Sequence, residues 1–397
     1  MRLVRVALEH FRSYPTADLH PDPGLTIIAG PNGAGKTNLL EAIFIALTGG
    51  RGQRAPDHEL VRHGASFARV RLDLGDDAGA EARIELLLPG AEASPEIRKR
   101  VMLNGLPRRV GSLGETARAV LFRPEEMLLL VGSPSERRRF LDAILAQRDR
   151  RAARDLAELA RVLSQRNALL RAIRSEEATA DGLDFWDEQL AQIGGRLTAA
   201  RLSLVADLAR RIGPLHDAVA PAPERGDRVR LTYLDSLKDA WPGRAAAAAL
   251  GDSAQRASLA EELTVAYRVR LAAVRQKELW NGVSLVGPQR DDLLAELDGR
   301  DVAAHASRGQ QRTIILALKL AENDILAEDG PAPIVLLDDI FSELDADRSE
   351  RTLDLLLTRR QVLVTMADLG ALPASRRRRV PIWQVDDGRL SLTPRVA

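Results

Sequence analysis

Residues 25–43 read LTIIAGPNGAGKTNLLEAI. The stretch divides into three parts. Leu25 to Ala29 is an apolar run of strand length, residues 30–35 are rich in glycine, and an amphipathic helix is expected from Lys36. Gly30, Gly35, Lys36 and Thr37 fill the pattern G-x-x-x-x-G-K-[ST]. Glycines let the backbone close around phosphate oxygens, and the helix N-terminus adds positive potential. In this pattern the lysine reaches the β- and γ-phosphates and the hydroxyl residue holds Mg²⁺. The strand before and the helix after supply the context the motif needs, so a chance glycine-rich turn explains it poorly. The stretch predicts a nucleoside-triphosphate site made by Gly30, Pro31, Asn32, Gly33, Ala34, Gly35, Lys36, Thr37 and Asn38.

The chain has 397 residues, enough for two or three domain-sized units. With 45% apolar and 28% charged residues it has the composition of a soluble globular protein. It has no cysteine, which excludes disulfides and thiolate metal sites and fits a reducing compartment. No stretch reaches the roughly 18 to 20 apolar residues of a membrane span. Arg, Glu and His interrupt the first apolar residues, so they read as a strand and not a signal peptide. A cytoplasmic protein with no membrane partner is expected. Basic and acidic residues nearly balance, 57 against 56, so any nucleic-acid contact must come from a local patch.

Outward from the phosphate loop, the chain is strand-rich at first. Residues 2–8 alternate, the helix from Lys36 should stop at Gly49-Gly50, and short strands are expected over 69–74, 83–88 and 98–103. The last closes on Asn104-Gly105, a hairpin turn signal. From about Pro124 the spacing turns helical, and Phe140, Leu141, Ile144 and Leu145 share a stripe. A second helix from about Phe185 should end before Pro214, and a third should cover roughly 259–279. No heptad persists long enough for a coiled coil, and no fixed-period repeat is visible.

Three later stretches carry chemistry. Ser307-Arg308-Gly309-Gln310-Gln311 opens a helix, with serine in the capping position. Residues 334–339, IVLLDD, read as a buried strand ending in Asp338 and Asp339. Ser342-Glu343-Leu344-Asp345 follows, and a strand over 361–364 leads to Thr365. Each is weak alone. After a phosphate loop, the strand-terminal aspartate is the expected Mg²⁺-side carboxylate.

This order of parts resembles an ABC-type ATPase head. Ser307 follows Thr37 by 270 positions, far more than in transporter ATPases, which is similar to the SMC-like branch that works on DNA. The runs GPNGAGKTNLLEAI, GPQRDDL, SRGQQRTIILALKLAE and PIVLLDDIFSELDADR, with FRSY and SPSERRRFLD, resemble the RecF family of bacterial recombination mediators along the whole chain. The resemblance implies an α/β fold: an ABC-type ATPase head (P-loop NTPase fold) assembled from N- and C-terminal segments, with an inserted helical lobe. The expected division is 1–120 for the first part of the head, 121–280 for the lobe and 281–397 for the second part.

The resemblance also assigns roles. Lys36, Asp338 and Asp339 would be catalytic, with Thr37 and Asp338 on Mg²⁺ and Asp339 as the base for the attacking water. Asp in place of the more usual Glu implies slow turnover. Ser307, Gly309 and Gln310 would contact a nucleotide held by a second copy, Asp345 would link the two sites, and Thr365 stands where many ABC ATPases carry a γ-phosphate-sensing histidine. Two departures stand out. The loop at Phe122-Arg123-Pro124-Glu125 lacks the expected metal-contacting glutamine, and Gln289 replaces a frequent histidine. The implied cofactors are ATP and Mg²⁺. The implied partners are DNA (duplex next to single-stranded gaps), a second copy of the chain, and the proteins RecR and RecO.

Candidate DNA contacts are Arg51, Arg54 and Arg62, then Arg98, Lys99, Arg100, Arg108, Arg109, and the runs 137–139 and 376–379. Each could equally be a solvated face. The alternatives to this function are another SMC-like head with a structural DNA role, in which ATP acts only as glue, and a transporter ATPase subunit. A regulatory GTPase would need an N-K-x-D guanine reader that the chain lacks.

Overall fold

The computed structural model describes residues 1–50, 55–76, 78–221, 224, 226–241, 253–358, 361–371 and 380–393. In chain order the elements are β1 (Arg2–Phe11), β2 (Tyr14–Leu19), β3 (Leu25–Ala29), α1 (Lys36–Thr48), β4 (Phe67–Gly75), β5 (Glu81–Pro89), β6 (Arg100–Leu103), β7 (Leu106–Pro107) and β8 (Ala119–Phe122). Next come α2 (Leu128–Val131), α3 (Pro134–Arg148), α4 (Arg150–Arg174), α5 (Leu183–Val219), β9 (Val229–Leu234), α6 (Ser253–Asn281), β10 (Asp292–Leu297), β11 (Arg300–Asp301) and α7 (Val302–His305). The chain closes with α8 (Arg308–Glu328), β12 (Ile334–Asp338), α9 (Ala346–Leu357), β13 (Gln361–Met366), β14 (Ile382–Asp386) and β15 (Arg389–Thr393).

Two compact units result. The first takes Met1–Met127, Pro214–Gly226 and Ser307–Ala397, and the second Leu128–Gly213 and Asp227–Ala306. Residues 281–306, expected in the C-terminal part of the head, therefore belong to the second unit. The cause is strand pairing: β10 pairs antiparallel with β9 from Asp292↔Leu234 to Leu297↔Val229. Residues 214–226, expected in the lobe, pack in the first.

The first unit holds two sheets. One is antiparallel, ordered β2-β1-β4-β5-β6-β7; the other is ordered β15-β14-β3-β13-β12-β8. In the second sheet β14, β3, β13, β12 and β8 run parallel, and β15 returns antiparallel on β14. β3, β12 and β13 are buried at every residue, as parallel strands covered on both faces must be. That burial explains why their sequences are apolar apart from Thr26, Asp338, Gln361 and Thr365. α1 is also apolar nearly all round, and Leu39, Leu40, Ile43 and Leu47 join one core with residues of both sheets. Gly49 ends α1 at φ +67 as a left-handed cap, the expected stop. Asn104 and Gly105 take φ of +52 and +77, the geometry of a tight hairpin between β6 and β7.

α5 does not stop before Pro214; it runs on to Val219 with the proline inside, so its last residues, 214–219, count with the first unit. Proline removes one backbone donor, but Ile212, His216 and Val219 continue the buried stripe through it. The arginine run 137–139 turns inward to other partners. Arg137 forks onto Asp292 with 2.6 and 2.9 Å bonds, Arg138 donates to the Asp291 carbonyl at 2.7 Å, and Arg139 pairs with Glu136. That run therefore braces the helical unit. Asp291 is fully buried, accepting from the Tyr233 hydroxyl at 2.6 Å and the Ser236 amide at 2.8 Å.

Candidate nucleotide site

β3 delivers the chain to the centre of the parallel sheet, between β13 and β14, and the loop 30–35 leaves from its C-terminal end. The glycines are there for contact and for conformation. A Cβ on Gly30 would lie 2.2 Å from the Val385 carbonyl oxygen of β14. Gly33 and Gly35 take φ of +82 and +110, backbone that other residues adopt only with strain. Beneath the loop, the buried Tyr14 donates its hydroxyl to the Gly35 carbonyl at 2.9 Å, and Asn38 donates to the Ser13 hydroxyl at 2.9 Å. Burial also pushes the Tyr14 phenol up, so it stays a neutral donor.

Lys36 begins α1 with its side chain folded back, donating to the carbonyls of Gly30 at 2.8 Å and Pro31 at 2.9 Å. Burial lowers its pKa, while the charges of Asp339 and Asp338 work the other way. Phosphate loop and strand-end carboxylates therefore lie within electrostatic reach of each other. Asp338, the last residue of β12, sits across from Thr365 in the parallel register. The Thr365 hydroxyl donates to the Asp338 Oδ1 at 2.6 Å and accepts from the Asp339 amide at 3.0 Å. Burial raises the pKa of Asp338; hydrogen bonds from Thr365 and Thr37 oppose that, and Glu125 and Asp339 add to it. Asp339 has left the strand and takes φ +49, a left-handed conformation that Asp and Asn adopt more readily than most residues.

Lys36, Thr37, Asp338, Asp339 and Thr365 thus meet. Thr365 differs from its expected role: it is fully buried and its hydroxyl holds the carboxylate strand end. In the glutamine-less loop, the Glu125 charge acts on Asp338 and helps to raise its pKa. Ser307 is the exposed N-cap of α8. Its hydroxyl accepts from the Gln310 amide at 3.2 Å, and the Gln310 side chain accepts from the Ser307 amide at 3.0 Å. Gly309 lies against Arg348. Asp345 caps α9, accepting from the Arg348 amide at 2.9 Å, and that bond is the first cause of its lowered pKa.

The DNA candidates divide. Arg51, Arg54 and the run 376–379 lie outside the described residues. Arg62 is exposed yet donates to the Ser13 carbonyl at 2.8 Å, so it also steadies the turn beneath the phosphate loop. Lys99 pairs with Asp57 at 2.9 Å. Sequence reasoning took Ser13 and Tyr14 only as part of a matching run and gave Arg348 no role. A tyrosine followed by a strand does not announce which loop it will support.

Among the described residues no helix is long and apolar enough to cross a membrane. The family model described as "RecF/RecN/SMC N terminal domain" matches residues 2–376. The DNA replication and repair protein RecF of Kineococcus radiotolerans is 40% identical over 387 residues, 95% of each chain. That of Streptomyces avermitilis is 38% identical over 375 residues, covering 92% of this chain and 94% of that one. A solved structure of the recombination mediator protein RecF with ATP in the RecFOR pathway superposes with a TM-score of 0.82 at 26% identity, covering 99% and 97% of the two chains. An Smc head bound to the C-terminal winged-helix domain of ScpA gives 0.53 at 16% identity, a likeness of fold alone. With an ABC-type head and this extent of match, the chain belongs to the RecF/RecN/SMC family and, within it, to the RecF proteins.

Proposed function

We propose that this chain is an ATP-gated DNA clamp of recombinational repair, acting at gaps and stalled forks, which closes as a homodimer on binding ATP and opens on slow, DNA-dependent hydrolysis. One observation carries the reading. A single unit gathers Lys36, Thr37, Asp338 and Asp339 around the phosphate loop and presents Ser307 on an exposed helix start. Such a unit has one part of a nucleotide sandwich and the cover for another.

The residues suit the ligands. Gly30 leaves no room for a side chain against β14 and Gly35 none against Ser13 and Tyr14, while Gly33 supplies a positive φ, a loop suited to close backbone approach to phosphate. Thr37 and Asp338 offer neighbouring oxygen donors, the kind Mg²⁺ accepts together with nucleotide phosphates and water. When bound, Mg²⁺–ATP supplies the phosphoryl group whose transfer to water is the reaction. Lys36 then exchanges its carbonyl partners for phosphate oxygens and balances their charge. Asp339 orients the attacking water and takes its proton, while Thr365 fixes the strand end that carries it. In a closed dimer the Ser307 end of α8 from one copy faces the γ-phosphate held by the other, where the helix dipole favours negative charge. Once the γ-phosphate is free, that attraction no longer joins the copies.

The DNA would be duplex beside a single-stranded gap, held through phosphates by Arg51, Arg54 and Arg62, so affinity should fall steeply with salt. RecR and RecO are the partners in a cytoplasmic setting. The deciding experiment is sedimentation with and without Mg²⁺–ATP. Wild type should dimerise only with nucleotide and Ser307→Arg should stay monomeric. A wild-type monomer that turns over ATP unaided would overturn the reading.

A further inference from the structure

One side chain in the head is engaged with three separate stretches of chain, and none of the roles above uses it. Arg348 is the third residue of α9, three positions after Asp345, and its side chain is only 11% exposed. Its Nη1 pairs with the Asp345 carboxylate. Its Nη2 donates to Glu224 Oε1 at 2.5 Å, and its Nε donates to the Thr313 hydroxyl at 3.1 Å. Thr313 lies in the second turn of α8, with its oxygen 3.1 Å from both Glu224 Oε2 and the Gly309 carbonyl. A Cβ on Gly309 would come within 3.2 Å of the same guanidinium.

We infer that Arg348 is a positioning residue for the ATP-driven closure, holding the Asp345 turn, the Ser307 end of α8 and Glu224 in one register. The inference rests on the dimer reading given above and deepens it.

The physical case is one of geometry and desolvation. A nearly buried cation is stable only when paired and hydrogen-bonded, and here two carboxylates and a hydroxyl take up the fork. Only a planar guanidinium offers donors in those directions at once; a lysine ammonium is a point charge on a looser stem. The Arg348 amide also donates to Asp345 Oδ1 at 2.9 Å, so backbone and side chain together fix both oxygens of that carboxylate. The guanidinium packs beside Gly309, two residues after the Ser307 cap. The two features expected to reach across the dimer, Ser307 and Asp345, are therefore referenced to one another through Arg348. Glu224 brings in a third stretch, residues 214–226, which the chain contributes to this unit between its passes through the other.

None of these contacts touches the phosphate loop, so the inference predicts a split between two measurements. Fluorescent-nucleotide titration with Mg²⁺ reports binding to the loop, and sedimentation over a protein concentration series reports closure. Arg348→Ala should bind nucleotide within about twofold of wild type but need about tenfold more protein to dimerise, the loss expected for a charge-assisted bond network. Glu224→Gln keeps the volume, removes one charge and should shift dimerisation the same way; it decides the matter should Arg348→Ala fold poorly. If wild type dimerises with ATP, Ser307→Arg does not, and both new variants match wild type, this inference falls alone. If wild type never dimerises, the dimer reading falls and takes this one with it.

Discussion

Thr365 and Asp338 face each other across β13 and β12, joined by a 2.6 Å hydrogen bond from hydroxyl to carboxylate, and the same hydroxyl accepts the Asp339 amide. Thr365→Val keeps the shape and removes both bonds. The valine variant should lose on the order of 1–3 kcal/mol of stability in urea unfolding, the cost of stranding a buried donor and acceptor. Phosphate release should fall by about tenfold, because Asp339 loses the contact that fixes its backbone. Unchanged turnover would detach Thr365 from the site.

Asp339→Asn separates binding from hydrolysis. Asparagine tolerates φ +49, so the backbone beyond β12 should keep its course. The variant should bind ATP as wild type does and form a dimer that persists, with hydrolysis nearly abolished. Equal hydrolysis rates in the two proteins would mean that Asp339 is not the base.

Gln361 joins the two sheets of the head. Its side chain accepts the Leu3 amide at 2.7 Å and donates to the carbonyls of Leu3 at 2.8 Å and Asp22 at 2.9 Å. Gln361→Leu leaves the buried Leu3 amide and carbonyl, and the half-buried Asp22 carbonyl, without that partner. Stability should drop by about 3 kcal/mol, read from the urea midpoint with an unchanged slope.

Asp291 gives the helical unit a pH dependence of predictable sign. Burial pushes its carboxyl up to about 6, against the Tyr233 and Ser236 hydrogen bonds and the nearby Arg201. Arg138 and Tyr267 also face it electrostatically. Its ordinary value is near 4. Between those values the folded chain holds a proton the unfolded chain has lost, so this stabilising contribution is full below about pH 4 and gone above about pH 6. The stability difference between wild type and Asp291→Asn should therefore be about 1 kcal/mol smaller at pH 7.5 than at pH 5. A difference that does not change with pH would remove the proton from the account.

The sequence made some of this legible because the signal was local. Residues 25–37 carry strand, loop and helix start within one window, Ser307 and Gln310 form a capping box, and 334–337 is apolar throughout up to Asp338. What stayed hidden depends on partners far along the chain. Residues 382–393 gave no reading, yet β14 lies beside β3 and under Gly30. Arginines at 137–139 read like a basic patch, and only the fold brings Asp291 and Asp292 up to meet them. Pro214 looked like a stop, but the apolar stripe on either side of it prevailed. Residues 281–306 went to the wrong half because strand pairing, not proximity in sequence, decided their company.

The Val385 carbonyl 2.2 Å from where a Gly30 side chain would begin has a meaning for biosynthesis. β3 is flanked by β13 and β14, so the floor of the phosphate loop is made by residues synthesised more than 300 positions later. On the ribosome β3 has no neighbour to pair with until residues 361–366 have emerged. Joining distant segments late is slow and leaves sticky surface open meanwhile. This protein should accordingly lean on chaperones during synthesis, and a truncation before Ile382 should leave the glycine loop without a wall to close against.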